Sequence, residues 1–159
     1  MSELLERSGR LLVPHCQAAV AGLPNVWNST TSQTPLRCTC LEVMTHVVDA
    51  LGPGKGPDLD GIALSMVDVA TKVHSDDAVY LMETGLGLWL ALLRHLEDYT
   101  ETMHSLFPRI PEMLDGDLDN LKQAMIILEA YVVVGGTVFL QAHGALVCSC
   151  FCRVVGQVR

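Results

Sequence analysis

Cys38-Thr-Cys40 and Cys148-Ser-Cys150-Phe-Cys152 set thiols at alternate positions, and Cys16 completes the six cysteines of the chain. Thiolates are nucleophiles and soft metal ligands, so these runs are the first candidates for chemistry. A structural zinc site is commonly built from paired C-x-x-C units, a spacing that neither run has. A mixed site with His15 or His46 is the alternative. Free cysteines buried in a reducing compartment account for the pattern more simply, because the thiol packs as a small hydrophobe. A cysteine nucleophile also needs a general base in reach and a group that orients the base. His46 and His143 stand in apolar stretches without a nucleophile elbow or phosphate loop, which predicts core or half-buried imidazoles. No catalytic residue, metal ligand or cofactor site is assigned.

Asp115-Gly-Asp-Leu-Asp119 resembles the start of a calcium loop, with oxygen ligands at alternate positions. Asn120 stands where such a loop needs its turning glycine, and Ile126 where it needs a bidentate glutamate. The run is read as a turn, with Asp117 capping the next helix. Gly85-Leu-Gly87 lacks the third glycine and the preceding strand of a dinucleotide fingerprint. Gly52-Pro-Gly-Lys-Gly-Pro57 holds a lysine without Walker spacing. Asn28-Ser-Thr30 is a glycosylation sequon by pattern only, relevant in a secreted protein. The first fifteen residues carry charges in their opening turns and do not form a signal peptide.

The elements that would position any such site are helices. A chain of 159 residues is one domain's worth of material, and half of it is apolar, enough to bury a core. The net charge of -8 argues against nucleic acid as a partner and suits basic proteins. Met125 to Val155 is hydrophobic, but Glu129, Gln141, His143 and the Gly135-Gly136 pair interrupt it. Two buried helices meeting at the glycines are expected, with no membrane insertion.

Asp76 to Asp98 predicts one long helix around which the rest is organised. Val79, Met82, Leu86, Trp89, Leu93 and Leu96 recur at three- and four-residue steps, and further leucines widen the stripe. Such a helix needs neighbours on at least two sides. Ser75 is its expected N-cap, and Gly85 and Gly87 are expected to admit a close neighbour. Before it, a helix broken at Pro14 and Pro24 spans Glu3 to Trp27, and a polar turn runs from Asn28 to Gln33. A helix capped by Thr34 carries Leu36, Cys40, Val43, Met44, Val47 and Leu51 on one face. Another covers Asp58 to Val73, with Leu59, Ile62, Met66, Val69 and Val73 in register. After the central helix come a helix over 100–114 interrupted by Pro108 and Pro111, then helices over 117–134 and 137–155.

Long helices thus begin near Pro35, Asp76 and Asp117, about 41 residues apart, and each is followed by a second helix. That period is the one of HEAT and armadillo repeats. The expected fold is all-α, an α-α superhelix of about three helix pairs (35–73, 76–114 and 117–155) plus a partial N-terminal unit, in one segment over 1–159. Leu146, Val147, Phe151, Val154 and Val155 give the last helix no polar cap, so a section of a longer solenoid is expected.

Thr34-Pro-Leu-Arg-Cys38 after Trp27, the stretch Asp77 to Leu90, and the run Ile127 to Phe151 resemble the C-terminal HEAT-repeat region of the importin-beta (karyopherin-beta) family. The similarity spans most of the chain, and its motifs are packing motifs. It implies a nuclear transport receptor that shuttles between nucleus and cytoplasm, carries protein cargo past nucleoporins and releases it to the Ran GTPase. The family's Ran site lies mainly in N-terminal repeats, so this segment is expected to lack most of it. In such arrays the second helices line the concave side. Asp58, Asp60, Asp68, Glu101 and Glu112 lie on those helices and are the candidate contacts to basic cargo; a merely solvated face is the competing explanation. A HEAT scaffold unrelated to transport is the alternative function. A cysteine- or metal-dependent enzyme would require a His and a Cys to converge in a pocket.

Overall fold

The computed structural model describes residues 20–54, 57–96, 99–115 and 120–157. Residues 20–29 form α1. There follow α2 (Thr34–Leu51), α3 (Pro57–Ala70), α4 (Ala78–Arg94), α5 (Glu101–Leu106), α6 (Arg109–Asp115) and α7 (Leu121–Gln157). Among the described residues there is no strand.

Helix α4 is the centre, packed against α2, α3 and α7. Leu81, Met82, Leu86, Leu88, Trp89, Ala91, Leu92 and Leu93 are all buried. The stripe is wide because three neighbours share it. Gly85 lets one of them in: a Cβ there would lie 2.6 Å from the Cβ of Ala70 on α3. Gly87 does not have the expected role, since it is exposed with nothing within 4 Å of an added Cβ.

The helices form two rows. One is α2, α4 and the first half of α7; the other is α3, then α5 with α6, then the second half of α7. Side-chain links between corresponding places define the step. Thr34 Oγ1 donates to Asp77 Oδ1 at 3.3 Å across 43 residues, and Trp89 Nε1 donates to Tyr131 Oη at 3.2 Å across 42. Arg109 Nη2 donates to Asp68 Oδ1 at 2.9 Å across 41 residues, and His104 meets His143 at 3.1 Å across 39. Consecutive pairs therefore touch through equivalent positions, as stacking of helical repeats requires.

Gly136 divides α7. Its φ of 49° and ψ of -134° are left-handed backbone that glycine adopts without a steric penalty. The second half returns beside the first, so that Met125 and Leu128 share a groove with Val147 and Phe151. The stretch 121–156 is long and apolar enough to span a membrane by length and composition. Here it is interrupted by the break at Gly136, and it leaves Val133, Val138, Leu140, Leu146, Phe151 and Val155 exposed rather than buried.

Several local expectations are corrected. Gln33, not Thr34, is the N-cap of α2, because the Thr34 hydroxyl is engaged by Asp77. Asp77, not Ser75, is the N-cap position of α4, but its side chain makes no capping bond and turns instead toward α2, 3.8 Å from Arg37 Nη1. Val79 is 85% exposed, because it lies on the outer face of α4 with the exposed Glu83 and Gly87, four and eight residues further on. Leu36 and Val69 likewise face outward. Pro24 lies within the helical residues 20–29 and does not restart the chain. Pro108 separates α5 from α6, whereas Pro111 sits in the first turn of α6, where no N–H is needed. The expected helix over 3–19, with Pro14, His15 and Cys16, lies outside the described residues, as do Lys55-Gly56, Glu97-Asp98 and the calcium-loop-like run 116–119.

Candidate functional site

Where α3 faces α5 and α6, the second row opens into a groove of ≈ 580 Å³. Gly61, Leu64, Ser65 and Asp68 line it from α3 at positions i, i+3, i+4 and i+7, the spacing of one helical face. Thr102, Ser105 and Leu106 line it from α5, and Pro108, Arg109 and Glu112 from the turn and α6. The Thr100 hydroxyl accepts from Met103 N at 3.3 Å and so starts α5, which turns Thr102 and Ser105 into the groove.

Leu64 and Leu106 give the groove an apolar floor, and both are buried. Its polar atoms are mostly acceptors. Ser65 Oγ donates to the Ile62 carbonyl at 2.7 Å and Ser105 Oγ to the Thr102 carbonyl at 2.8 Å, so both hydroxyl protons are committed to backbone. Lone pairs are what these side chains present. Arg109 is the cation of the groove, 2.9 Å from Asp68 and 3.6 Å from Glu112. Two carboxylates against one guanidinium leave one net negative charge.

Of the five residues expected to contact cargo, the structure thus brings Asp68 and Glu112 together across Arg109. Asp58 and Asp60 lie in the first turn of α3 and Glu101 in that of α5, outside the groove lining. Asp58 and Glu101 are exposed; Asp60 is half-buried. Arg109 escaped the sequence reading, although its three-residue spacing from Glu112 on one helix was a visible signal.

A second feature lies behind α5. Trp89, Tyr99, His104, Phe107, Tyr131, Phe139 and His143 form one cluster of rings, with Phe107 and Phe139 4.7 Å apart at 86°. The Tyr131 hydroxyl donates to the Met103 carbonyl at 2.9 Å, and burial pushes its phenol well above the usual tyrosine range. Burial, and then the neighbouring His104, hold the His143 imidazole below its ordinary value. His143 is buried as expected, but His46 is exposed, because the second row leaves that side of α2 uncovered.

The cysteines divide. Cys40 and Cys150 are buried, and desolvation raises both thiols. Cys148 and Cys152 are exposed, contrary to the expectation of burial, since α7 turns only its Cys150 face inward.

Stacked helix pairs with a groove along the second row define an α-α superhelical repeat protein. The chain belongs to the family described as "Importin-11-like, TPR repeats", which it matches over residues 38–159. It is 28% identical to human Importin-11 over 158 residues, 99% of this chain and 16% of that protein. Identity to mouse Importin-11 is also 28% over the same 158 residues. The chain thus spans 16% of the length of these curated relatives. No solved structure matches it. The 39- to 43-residue links described above exceed the 34-residue tetratricopeptide period and lie about where HEAT and armadillo pairs fall.

Proposed function

We propose that this chain is a section of a nuclear transport receptor, and that it binds protein cargo through the surface of its second-row helices. Membership of the Importin-11-like family over 38–159 is the observation that carries the reading. The α3/α5–α6 groove supports the location, because acceptor atoms and net negative charge suit lysine, arginine and backbone N–H donors. Basic protein is therefore the partner class, and nucleic acid is not. In a full-length receptor, Ran would act through other repeats, nucleoporins would be further contacts, and the protein would shuttle between nucleus and cytoplasm. The three helix pairs at 35–73, 76–114 and 117–155 are the proposed structural units. Asp68 and Glu112 are the first contacts to test; Asp58, Asp60 and Glu101 would act at the edges.

The alternative is a scaffold unrelated to transport; Arg109, which already engages both carboxylates, weighs against basic cargo in this groove. Binding of the whole chain to basic ribosomal proteins, measured by calorimetry, separates the readings. Cargo binding that weakens several-fold in Asp68→Lys/Glu112→Lys supports the groove. Binding untouched by that double reversal removes the groove from the proposal, and no binding to any basic protein removes the cargo role of this segment.

A further inference from the structure

His104 on α5 and His143 on the second half of α7 face each other, with Nδ1 of the first 3.1 Å from Nε2 of the second. The ring centroids are 4.3 Å apart. Tyr99 Oη lies 3.4 Å from the same Nδ1. Phe107 and Phe139 enclose His143, their centroids 4.6 and 5.2 Å from its own. His104 is half-buried.

The proton count sets what this pair can do. With both rings neutral, one nitrogen donates and the other accepts. With one added proton, the imidazolium still donates to its neutral neighbour. With two, N–H faces N–H, and like charges meet in an apolar setting. The other ionisable groups facing the pair are Tyr99, from the segment before α5, and Tyr131 beyond it, from the first half of α7. Burial raises both phenols, so they stay neutral near pH 7. Among the described residues no carboxylate or cationic side chain pairs with either imidazole.

We propose that His104 and His143 form a proton-sensitive clasp: their shared N–H···N bond holds α5 on the second half of α7, and a second proton on the pair releases it. The same short helix carries Thr102, Ser105 and Leu106 into the α3/α5–α6 groove, so release would shift one wall of that groove. The clasp itself stands whether or not the groove takes cargo.

Nitrogen-15 NMR of the histidine-labelled whole chain between pH 8 and 5 tests this. A scalar coupling between the two ring nitrogens is expected at high pH, with His143 titrating below the ordinary 6.5. Loss of that coupling should coincide with at least a tenfold rise in amide exchange over 139–156, corrected for the intrinsic pH effect. His143→Phe keeps a ring in the cluster and should lack the pH step. Titration of His143 at or above its ordinary value overturns the clasp, as does a pH step that persists in the variant. Should His143→Phe not fold, the titration and coupling of the unaltered chain decide alone.

Discussion

Trp89 and Tyr131, 42 residues apart, are joined by an indole-to-hydroxyl hydrogen bond of 3.2 Å. Their rings meet edge to face at 5.9 Å, and the Tyr131 hydroxyl donates its own hydrogen bond to the Met103 carbonyl on α5. One oxygen thus ties α4, α5 and α7 together in the driest part of the core. Tyr131→Phe keeps the ring but leaves the buried indole N–H without an acceptor. Urea unfolding should show a loss of about 1–3 kcal/mol, the cost of stranding a buried donor. A loss below a few tenths would mean that the oxygen does not bridge the three helices.

Gly85 and Gly87 should respond to alanine with opposite signs. At Gly85 the new methyl meets Ala70 at 2.6 Å, and overpacking of this kind costs about 1–3 kcal/mol. At Gly87 it meets nothing, and alanine gains up to about 1 kcal/mol in helix propensity. Thermal melts of the two single variants check this directly. Equal effects would show that α3 does not press on α4 at Gly85.

The contrast marks how far the sequence could be read. The three- and four-residue spacing from Met82 to Leu93 locates the central helix, because periodicity reports which face is apolar. It does not report how far round the helix a neighbour reaches, so the expected stripes take in Val79, Leu36 and Val69, which are exposed, and the expected close contact takes in Gly87, which meets nothing. The 41-residue spacing of the expected helix starts is close to the 41 residues between Asp68 and Arg109 and the 42 between Trp89 and Tyr131. The ring cluster was not legible. Tyr99, His104, Phe107, Tyr131, Phe139 and His143 come from α5 with its flanking turns and from both halves of α7, and share no local motif. Only the four-residue step from Phe139 to His143 hinted that this imidazole faces inward.

Arg37 is 8% exposed, with its guanidinium 4.3 Å over the Trp27 ring and 3.8 Å from the Asp77 carboxylate. The two partners differ in burial, since the Asp77 side chain is 38% exposed. Asp77→Asn therefore leaves a buried cation without its counter-charge, at a cost of about 1–2 kcal/mol after allowance for solvent at the carboxylate. Arg37→Met frees a carboxylate that water can reach, so its cost should be smaller than that of Asp77→Asn. Chemical denaturation of both variants tests the order; the reverse order would mean that Arg37 contributes mainly by stacking on Trp27 of α1 and less by its charge pair with Asp77 at the start of α4.

Stability should fall on mild acidification, and His143 sets the direction. Its folded-state imidazole is held below the ordinary 6.5 by burial and by His104, so near that value the unfolded chain binds more protons. The contribution is fully present above the unfolded value and is lost as pH drops through the lower, folded one. Urea midpoints measured from pH 7.5 to 5 should decline through that window and decline less in His143→Phe. A midpoint that rises on acidification would contradict the sign.

Arg109 offers the sharpest test of the groove, because it competes for the carboxylates that cargo would use. Its side chain is 24% exposed and those of Asp68 and Glu112 are 53% and 50% exposed, so these ion pairs add little to the fold. Exposed pairs are worth roughly 0–1 kcal/mol each, so Arg109→Ala should leave the melting temperature nearly unchanged. It should also free both acceptors and make the groove more negative by one charge. If basic cargo enters there, affinity rises by about two- to fivefold at low salt, and the gain fades as ionic strength shortens the Debye length. Calorimetric titrations at two salt concentrations measure both effects. Weaker binding in Arg109→Ala would instead make the arginine itself a cargo contact, and unchanged binding would move the contact surface away from α3 and α6.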